Sequence, residues 1–384
     1  MNRKAVVTIF FCSILITVLF VGIHTFYSRN STTYDVDVYV GVDAAYDNMI
    51  ELKACIDQVK DFTNIFVLGS TGITLDAIKL NEMCEYISAR DLNFATYTHT
   101  TENTTINFNQ SAWTTYAKQH WSDKFLGLYS YDEPGGHQID VDHPYMIVTE
   151  ADSYSDAANK YTQNLHNYIS EFLALNSALI TSDYVLYEYG YRAGYDLVMA
   201  EYAWNHSRPL NTALCRGSAT MHGKEWGVML TYTYDIAPYL ASGSELYQDM
   251  VTAYQNGAKY ILIFDYAMET ETLTAHGILQ QEHLDALRQF WEYVKTHPRP
   301  NNPVNERVAY VLPPDFGYGF RGSDDWIWGL WKNSVLSNKI WTDVNTYSQQ
   351  YGQKFDILYA DSLNFDNWAY SKLIYWNGTV QTKP

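Results

Sequence analysis

The sequence predicts an α/β fold: a (β/α)8 TIM barrel followed by a small flavodoxin-like α/β segment. Two observations support the barrel. Short apolar runs alternate with longer stretches of helical spacing, and eight such pairs fit into about 260 residues, the usual length of this fold. Acidic side chains also recur just after the apolar runs, at the end of the strands where such barrels carry their active sites.

Eight strands are predicted from apolar runs bounded by Gly, Pro, Asn, Asp or Ser. In chain order they are Val38–Val42, Asn64–Leu68, Leu92–Tyr97, Phe125–Tyr129, Ala178–Thr181, Asp196–Tyr202, Gly227–Tyr232 and Tyr260–Phe264. Helices are predicted over Tyr46–Lys60, Leu75–Arg90, Ser111–Trp121, Ser155–Leu175, Arg208–Met221, Glu245–Asn256 and Glu282–Thr296.

Three regions are predicted along the chain. Residues 1–33 form a signal anchor and stalk, because a basic start precedes the uncharged run Ala5–Ile23, which is about the 20 residues needed to cross a bilayer. Residues 34–297 form the barrel, and residues 304–384, after the linker Pro298–Pro303, form a partial flavodoxin-like accessory domain. We therefore expect a membrane-anchored protein at the cell surface, or a secreted one if the signal is cleaved.

Composition restricts the partners. The 384 residues carry a formal net charge of −18, which argues against nucleic acid because phosphates require Lys and Arg. The 34 Tyr and 11 Trp suggest an oligosaccharide or polysaccharide, since aromatic rings stack on sugars, although most such rings serve packing. Cys55 and Cys84 are either bridged or, more simply, free buried thiols, and the sequence leaves the oligomeric state open.

The C-terminal segment has strand patterns at Arg307–Leu312, Phe355–Tyr359 and Lys372–Tyr375. Helical spacing is weaker here and predicts helices over Trp326–Ser337 and Val344–Tyr351. The loop between the first strand and these helices contains Gly317, Gly319 and Gly322 at GxGxxG spacing, which alone is a weak signal, and no cofactor is predicted.

Candidate catalytic residues lie at the ends of three predicted strands. Glu133 ends the fourth strand and is our choice for a general acid, with Asp132 beside it to raise its pKa. Glu201, which ends the sixth strand, is the preferred partner carboxylate, and Asp265 after the eighth strand is the alternative. Cleavage of a glycosidic bond requires two such carboxyl groups on either side of the bond.

Further acids and aromatic residues at the strand ends are predicted to bind substrate. They are Asp43, His99, Tyr131, Asp132, Asp183, Tyr202, Trp204, Tyr232 and Tyr266. Each could serve structure alone, for example by capping a turn. Their common position at one face of a barrel favours a functional site, because carboxylates gathered there are costly unless they are paired or hydrogen-bonded.

The ending YDEPGG of the fourth strand, Tyr131–Gly136, resembles the (Asn/Asp)-Glu-Pro ending found in retaining glycosidases of the large barrel clan. This resemblance implies that Glu133 is the acid/base. The order of barrel, linker and flavodoxin-like segment also resembles the beta-galactosidase group whose barrel is followed by a trimerisation domain. The clan's nucleophile, a Glu ending strand seven, is missing, because LTYTYD contains no Glu; either Glu201 replaces it, as in clans that pair strands four and six, or the site has lost activity.

Three functions remain open from the sequence. The first is an exported glycoside hydrolase, and the second is a non-catalytic carbohydrate-binding envelope protein on a degenerate barrel. The third is a metal-assisted hydrolase that uses the loop Gly135–Pro144, which holds His137, Asp140, Asp142 and His143; a solvated loop is the simpler interpretation, and no metal site is predicted.

Overall fold

The computed structural model describes residues 36–98, 108–266, 277–363 and 369–383. Eight parallel strands close into a barrel in sequence order, with β8 paired to β1, so the predicted (β/α)8 fold is confirmed. The strands are β1 Tyr39–Ala45, β2 Ile65–Leu68, β3 Asn93–Thr98, β4 Phe125–Ser130, β5 Leu179–Asp183, β6 Leu197–Tyr202, β7 Glu225–Leu230 and β8 Tyr260–Tyr266.

Helices cover the outside of the barrel and follow the predicted order. They are α1 Met49–Val59, α2 Thr71–Thr74, α3 Ala77–Ser88, α4 Gln110–His120, α5 Pro134–Ile139, α6 Tyr154–Leu173, α7 Tyr187–Ala193, α8 Arg208–His222, α9 Gly243–Gln255 and α10 Gln281–Thr296. The short helices α2, α5 and α7 were not predicted, because four to seven residues are too few to show helical periodicity.

Side chains alternate between the two faces of each barrel strand, and this alternation decides which residues reach the site. In β6, Leu197 and Met199 lie in the apolar cluster that fills the barrel, whereas Val198, Ala200 and Tyr202 pack in the layer between strands and helices. Glu201 continues the inward series. The same rule holds in the other strands, so alternate residues at each strand end face the pocket.

A separate four-stranded sheet follows the barrel, in the order β10-β9-β11-β12, with β12 antiparallel. Its strands are β9 Val308–Leu312, β10 Phe355–Tyr359, β11 Lys372–Tyr375 and β12 Val380–Thr382, and α11 spans Val335–Tyr351. The predicted helix over Trp326–Ser337 is wrong: Ile327 bridges Tyr318 and Trp331, and both Trp328 and Gly329 have positive φ, which a helix does not allow.

This sheet packs directly on the barrel. Arg216 of α8 is buried and pairs with Asp356 of β10 at 2.7 Å, and its other nitrogens donate to Asn256 and to two main-chain carbonyls of the 353–355 turn. The loop after β9 runs back to the barrel lip, where Arg321 pairs with Asp140 and the Gln138 amide donates to the Trp328 carbonyl at 2.8 Å. Barrel and sheet therefore share one core.

The predicted anchor and stalk, residues 1–33, lie outside the described residues. Within the described ranges, no helix has both the length and the apolar character to cross a bilayer. Cys55, Cys84 and Cys215 are buried and free, which is the simpler of the two alternatives for Cys55 and Cys84.

Candidate active site

A pocket of about 480 Å³ opens at the C-terminal ends of the barrel strands. It is lined by Asp43, Ala45, Gly69, Thr71, Tyr97, Tyr129, Asp132, Glu133, Ser182, Glu201, Trp204, Met229, Thr231, Tyr232, Phe264 and Tyr266. Seven of the residues predicted for the site thus meet in one pocket: Asp43, Asp132, Glu133, Glu201, Trp204, Tyr232 and Tyr266. A volume of this size suits a small ligand or part of a chain.

Glu133 is held by an unusual backbone. Its φ of 49° and ψ of 46° are left-handed, a conformation that costs a non-glycine residue about 1–2 kcal/mol. The turn is fixed from β5: the Glu133 N–H donates to the Ser182 carbonyl at 3.1 Å, and the Asp183 carboxylate accepts from the N–H groups of Gly135 and Gly136. Asp183 therefore positions the loop that carries Glu133.

Glu201 lines the same pocket as Glu133. It is 3% exposed, and its Oε1 accepts a hydrogen bond from the Ser182 hydroxyl at 2.5 Å. The Glu133 carboxyl lies within hydrogen-bonding reach of Glu201. The buried Oε2 of Glu201 receives no hydrogen bond from any other described donor. A proton shared between the two carboxyls would satisfy this contact.

Two hydroxyls connect this pair to Asp132. The Tyr129 hydroxyl donates to Asp132 and lies 2.7 Å from the Ser182 hydroxyl, which in turn bonds Glu201. Asp132 is exposed to water in the pocket, yet the surrounding protein raises its pKa, while hydrogen bonds from Tyr129 and Ser182 oppose this shift. The solvent exposure of Asp132 favours the ionised form of its carboxyl.

Burial sets the protonation of the Glu133–Glu201 pair. It raises the pKa of Glu133 to about 7, and the hydrogen bond to Glu201 opposes the shift. Burial, and then the charges of Glu133 and Asp132, raise the pKa of Glu201 well above its ordinary value. Within the described ranges no Lys, Arg or His forms an ion pair with either carboxyl. Like charges this close cannot both ionise, so the pair retains one proton near neutral pH.

Asp43 lies on β1, on the opposite side of the pocket from this pair. It is 1% exposed, and its Oδ1 has no hydrogen-bond partner among the described residues. Burial, and then the charge of Asp132, raise the pKa of Asp43 well above its ordinary value. A buried acid without a protein partner is the kind of group that a ligand completes.

Aromatic rings form much of the remaining wall. Trp204, Tyr232 and Tyr97 are half-buried, and Tyr266 is 41% exposed. The main-chain N–H of Trp204 donates to the main-chain carbonyl of Tyr232 at 2.7 Å, which fixes the two residues side by side. Such amphipathic rings offer flat faces to a sugar and hydroxyls to its edges.

Four predicted site residues lie away from the pocket. Asp265 and Tyr202 belong to the outward series of their strands: Asp265 accepts from Tyr46 and from the N–H groups of Ile278 and Leu279, and Tyr202 packs among the helices. Asp183 holds the Glu133 loop, as described above.

Tyr131, the fourth, contacts Tyr168 and His137 outside the pocket. His99 falls outside the described residues. Asp265 as a catalytic carboxylate is therefore not supported by its position.

The acidic loop after β4 does not gather metal ligands. Asp140 accepts from Arg321 and from the Tyr184 hydroxyl, and the rings of His137 and His143 stack with their centroids 4.4 Å apart. Among the described residues no three His, Cys, Asp or Glu side chains converge as a metal site would require. The loop instead connects the barrel lip to the segment after β9.

Several pocket residues were not predicted for the site, notably Ser182, Thr231 and Phe264. The signal that would have found them is the alternation within each strand. Ser182 is the inward neighbour of Asp183 in β5, and Phe264 is the inward neighbour of Asp265 in β8.

Comparisons with known proteins leave the family open. No protein-family model matches the chain, and no curated protein does. Similar solved structures include 3-keto-L-gulonate-6-phosphate decarboxylase from Vibrio cholerae, at 11% identity and a TM-score of 0.35, covering 68% of this chain and 99% of that one.

Two further similar structures act on glycans. The pneumococcal virulence factor StrH has 8% identity and a TM-score of 0.42, covering 67% of this chain and 84% of the other. A psychrophilic family 10 endo-beta-1,4-xylanase has 10% identity and a TM-score of 0.42, covering 67% and 97%. At such low scores, with a decarboxylase and glycosidases side by side, this likeness does not distinguish one reaction from another.

Proposed function

We propose that this chain is a glycoside hydrolase that cleaves an oligosaccharide or polysaccharide with the Glu133–Glu201 pair. The observation that carries the proposal is that these two carboxyls lie within hydrogen-bonding reach of each other in one aromatic-walled pocket, with no described basic side chain paired to either. If the predicted anchor and export signal operate, the substrate is an extracytoplasmic glycan. Neither Asp265 nor the acidic loop contributes to this mechanism.

Position assigns a role to each carboxyl. Glu133 is half-buried on a loop, where it can reach both substrate and solvent, so it is the acid that protonates the leaving glycosidic oxygen. Glu201 is buried on a strand and fixed by Ser182, and in the reacting form the proton of the pair lies on Glu133, so that Glu201 attacks the anomeric carbon as a carboxylate. Glu133, now ionised, then takes a proton from the water that cleaves the glycosyl–enzyme ester.

The short separation predicts the stereochemistry. Retaining enzymes hold their two carboxyls about 5–5.5 Å apart, whereas inverting enzymes leave about 6.5–9.5 Å for a water molecule. Carboxyls within hydrogen-bonding reach are nearer to the retaining spacing than to the inverting one, so we expect the product to keep the anomeric configuration of the substrate.

The test is hydrolysis of a panel of defined oligosaccharides by the purified chain, read as release of reducing ends. Proton NMR of the first product then reports its anomeric configuration. Inversion would contradict the pairing of Glu133 with Glu201. Binding without release from any sugar would instead support the non-catalytic carbohydrate-binding alternative.

Trp204 supplies a second prediction. Replacing Trp204 with Ala should weaken sugar binding by about 1–3 kcal/mol, the usual contribution of an aromatic platform, as measured by calorimetry. Tyr202→Phe is the matched control, because Tyr202 lies beside Trp204 in sequence but packs among the helices. Equal losses in both variants would show that the effect is structural and that Trp204 does not contact sugar.

A further inference from the structure

We propose that the pocket binds a sugar carrying a free, protonated amine, which is held between Asp43 and Asp132. This inference deepens the proposed function by naming its substrate class, and it rests on that function for the sugar itself. It depends on three features: the charge of the pocket, the unpaired oxygen of Asp43, and the position of Asp132 opposite it.

Among the described residues, every acidic or basic side chain that lines the pocket is an acid. The sixteen described lining residues include four carboxylic acids, Asp43, Asp132, Glu133 and Glu201, and no Lys, Arg or His. Two of these acids, Glu133 and Glu201, share a proton as described, which leaves Asp43 and Asp132 to interact with a ligand. An anionic sugar such as a uronic acid would meet only repulsion here, so the lining selects neutral or cationic substrates.

Asp43 favours a cationic substrate over a neutral one. Its carboxylate is buried in the pocket wall, and Oδ1 accepts no hydrogen bond from the described residues. The carboxylate fits because residue 69 is glycine: a Cβ there would lie 2.4 Å from Oδ1. Burial and the charge of Asp132 raise the pKa of Asp43, and a neutral hydroxyl would supply one hydrogen bond but no positive charge to stabilise the ionised form. An ammonium group supplies both the donors and the charge, which a buried carboxylate requires.

Asp132 completes the site from the other side. Asp43 and Asp132 line the same pocket, the charge of Asp132 raises the pKa of Asp43, and neither acid forms an ion pair with a described side chain. A cation bound by both would offset this unfavourable interaction between like charges. The Tyr129 hydroxyl, which bonds Asp132, fixes the second carboxylate in place. The amine site would therefore lie beside the Glu133–Glu201 pair and distinct from it.

The experiment compares sugars that differ in one substituent. Glucosamine and galactosamine oligomers are titrated by calorimetry at pH 6 into the full chain carrying Glu133→Gln, which prevents turnover. The N-acetylated and the 2-hydroxyl counterparts are titrated in parallel. At least one amine should bind at least tenfold more tightly than both of its counterparts, and this advantage should shrink in high salt. Equal affinities within both series, or no binding of either amine, would overturn the proposal.

Replacing Asp43 tests whether this residue causes the tighter binding of the amine. Asp43→Asn should reduce the advantage of the amine at least tenfold and leave affinity for the 2-hydroxyl sugar within about twofold, because Asn keeps the shape and loses the charge. Asp123→Asn is the control: it makes the same change in net charge at an exposed turn before β4, at the other end of the barrel. An unchanged preference in Asp43→Asn would also overturn the proposal.

Two further measurements keep the outcomes separate. Thermal melting checks that Asp43→Asn is folded, and Asp43→Ser repeats the test if it is not. Because the readout is binding, a preference for the amine without any hydrolysis would remove the proposed enzymatic function and leave the amine site intact. Hydrolysis of neutral sugars without a binding preference for the amine would remove the amine site and leave the proposed enzymatic function intact.

Discussion

Replacing Glu133 with glutamine is expected to lower turnover by about a thousandfold while substrate affinity stays within a fewfold of the wild type. Glutamine keeps the shape of the side chain but cannot donate a proton to the leaving oxygen, and general acid catalysis contributes about 10²–10⁴-fold. Initial rates give the turnover, and calorimetry gives the affinity.

The control for Glu133→Gln is Glu225→Gln. Glu225 is the exposed first residue of β7 and lies at the opposite end of the barrel, so the same chemical change there should leave the rate unaltered. Wild-type turnover in Glu133→Gln would remove Glu133 from the mechanism.

The wild-type rate should also depend on pH in a defined direction. Since the pair must hold one proton, activity should fall as pH rises beyond the higher of its two pKa values, that of Glu201, which burial and the charges of Glu133 and Asp132 raise well above its ordinary value.

The largest expected effect on stability comes from Arg216→Met. Arg216 is almost fully buried and pairs with Asp356, so removing its charge leaves Asp356, among its described partners, with Arg307 at 3.2 Å and the Tyr370 hydroxyl. Removing one member of a buried ion pair costs about 3–5 kcal/mol. We expect a loss near 3 kcal/mol, because Arg307 remains, and urea unfolding would measure it.

Lys354→Met provides the comparison for this variant. Lys354 pairs with Glu306, but both side chains are more than half exposed, and such pairs contribute about 0–1 kcal/mol. A similar small loss in Arg216→Met would show that the contact between α8 and β10 contributes little to stability.

The barrel could be predicted because its signal is local and repeated. Each strand is a short apolar run ended by turn residues, as in Phe125–Ser130 before Pro134, and eight repeats make an error at one boundary harmless. The helix predicted over Trp326–Ser337 was wrong for the opposite reason. Residues of this segment contact distant parts of the chain, such as Tyr189 and Gln138, and those contacts override the local helical spacing.

The sequence predicted which residues lie at the strand ends, but it predicted less well which of their side chains point into the pocket. Glu133 and Glu201 were identified from their places at strand ends, and the structure brings their carboxyls together. Tyr202 and Asp265 were chosen by the same rule, yet each is the outward neighbour of a pocket residue. The sequence contains the alternation that separates the two groups, but its phase depends on register, which only the closed barrel fixes.

The return of the loop after β9 to the barrel lip has a consequence for the design of fragments. Arg321 bonds Asp140, and Trp328 packs against Tyr161 and Tyr189 of the barrel helices. A gene truncated at Pro298–Pro303 would therefore yield a barrel with exposed aromatic surface around the rim of its pocket. This truncated protein should precipitate on expression. A chimaera that received the C-terminal part from another gene would also need the barrel-rim residues that contact it.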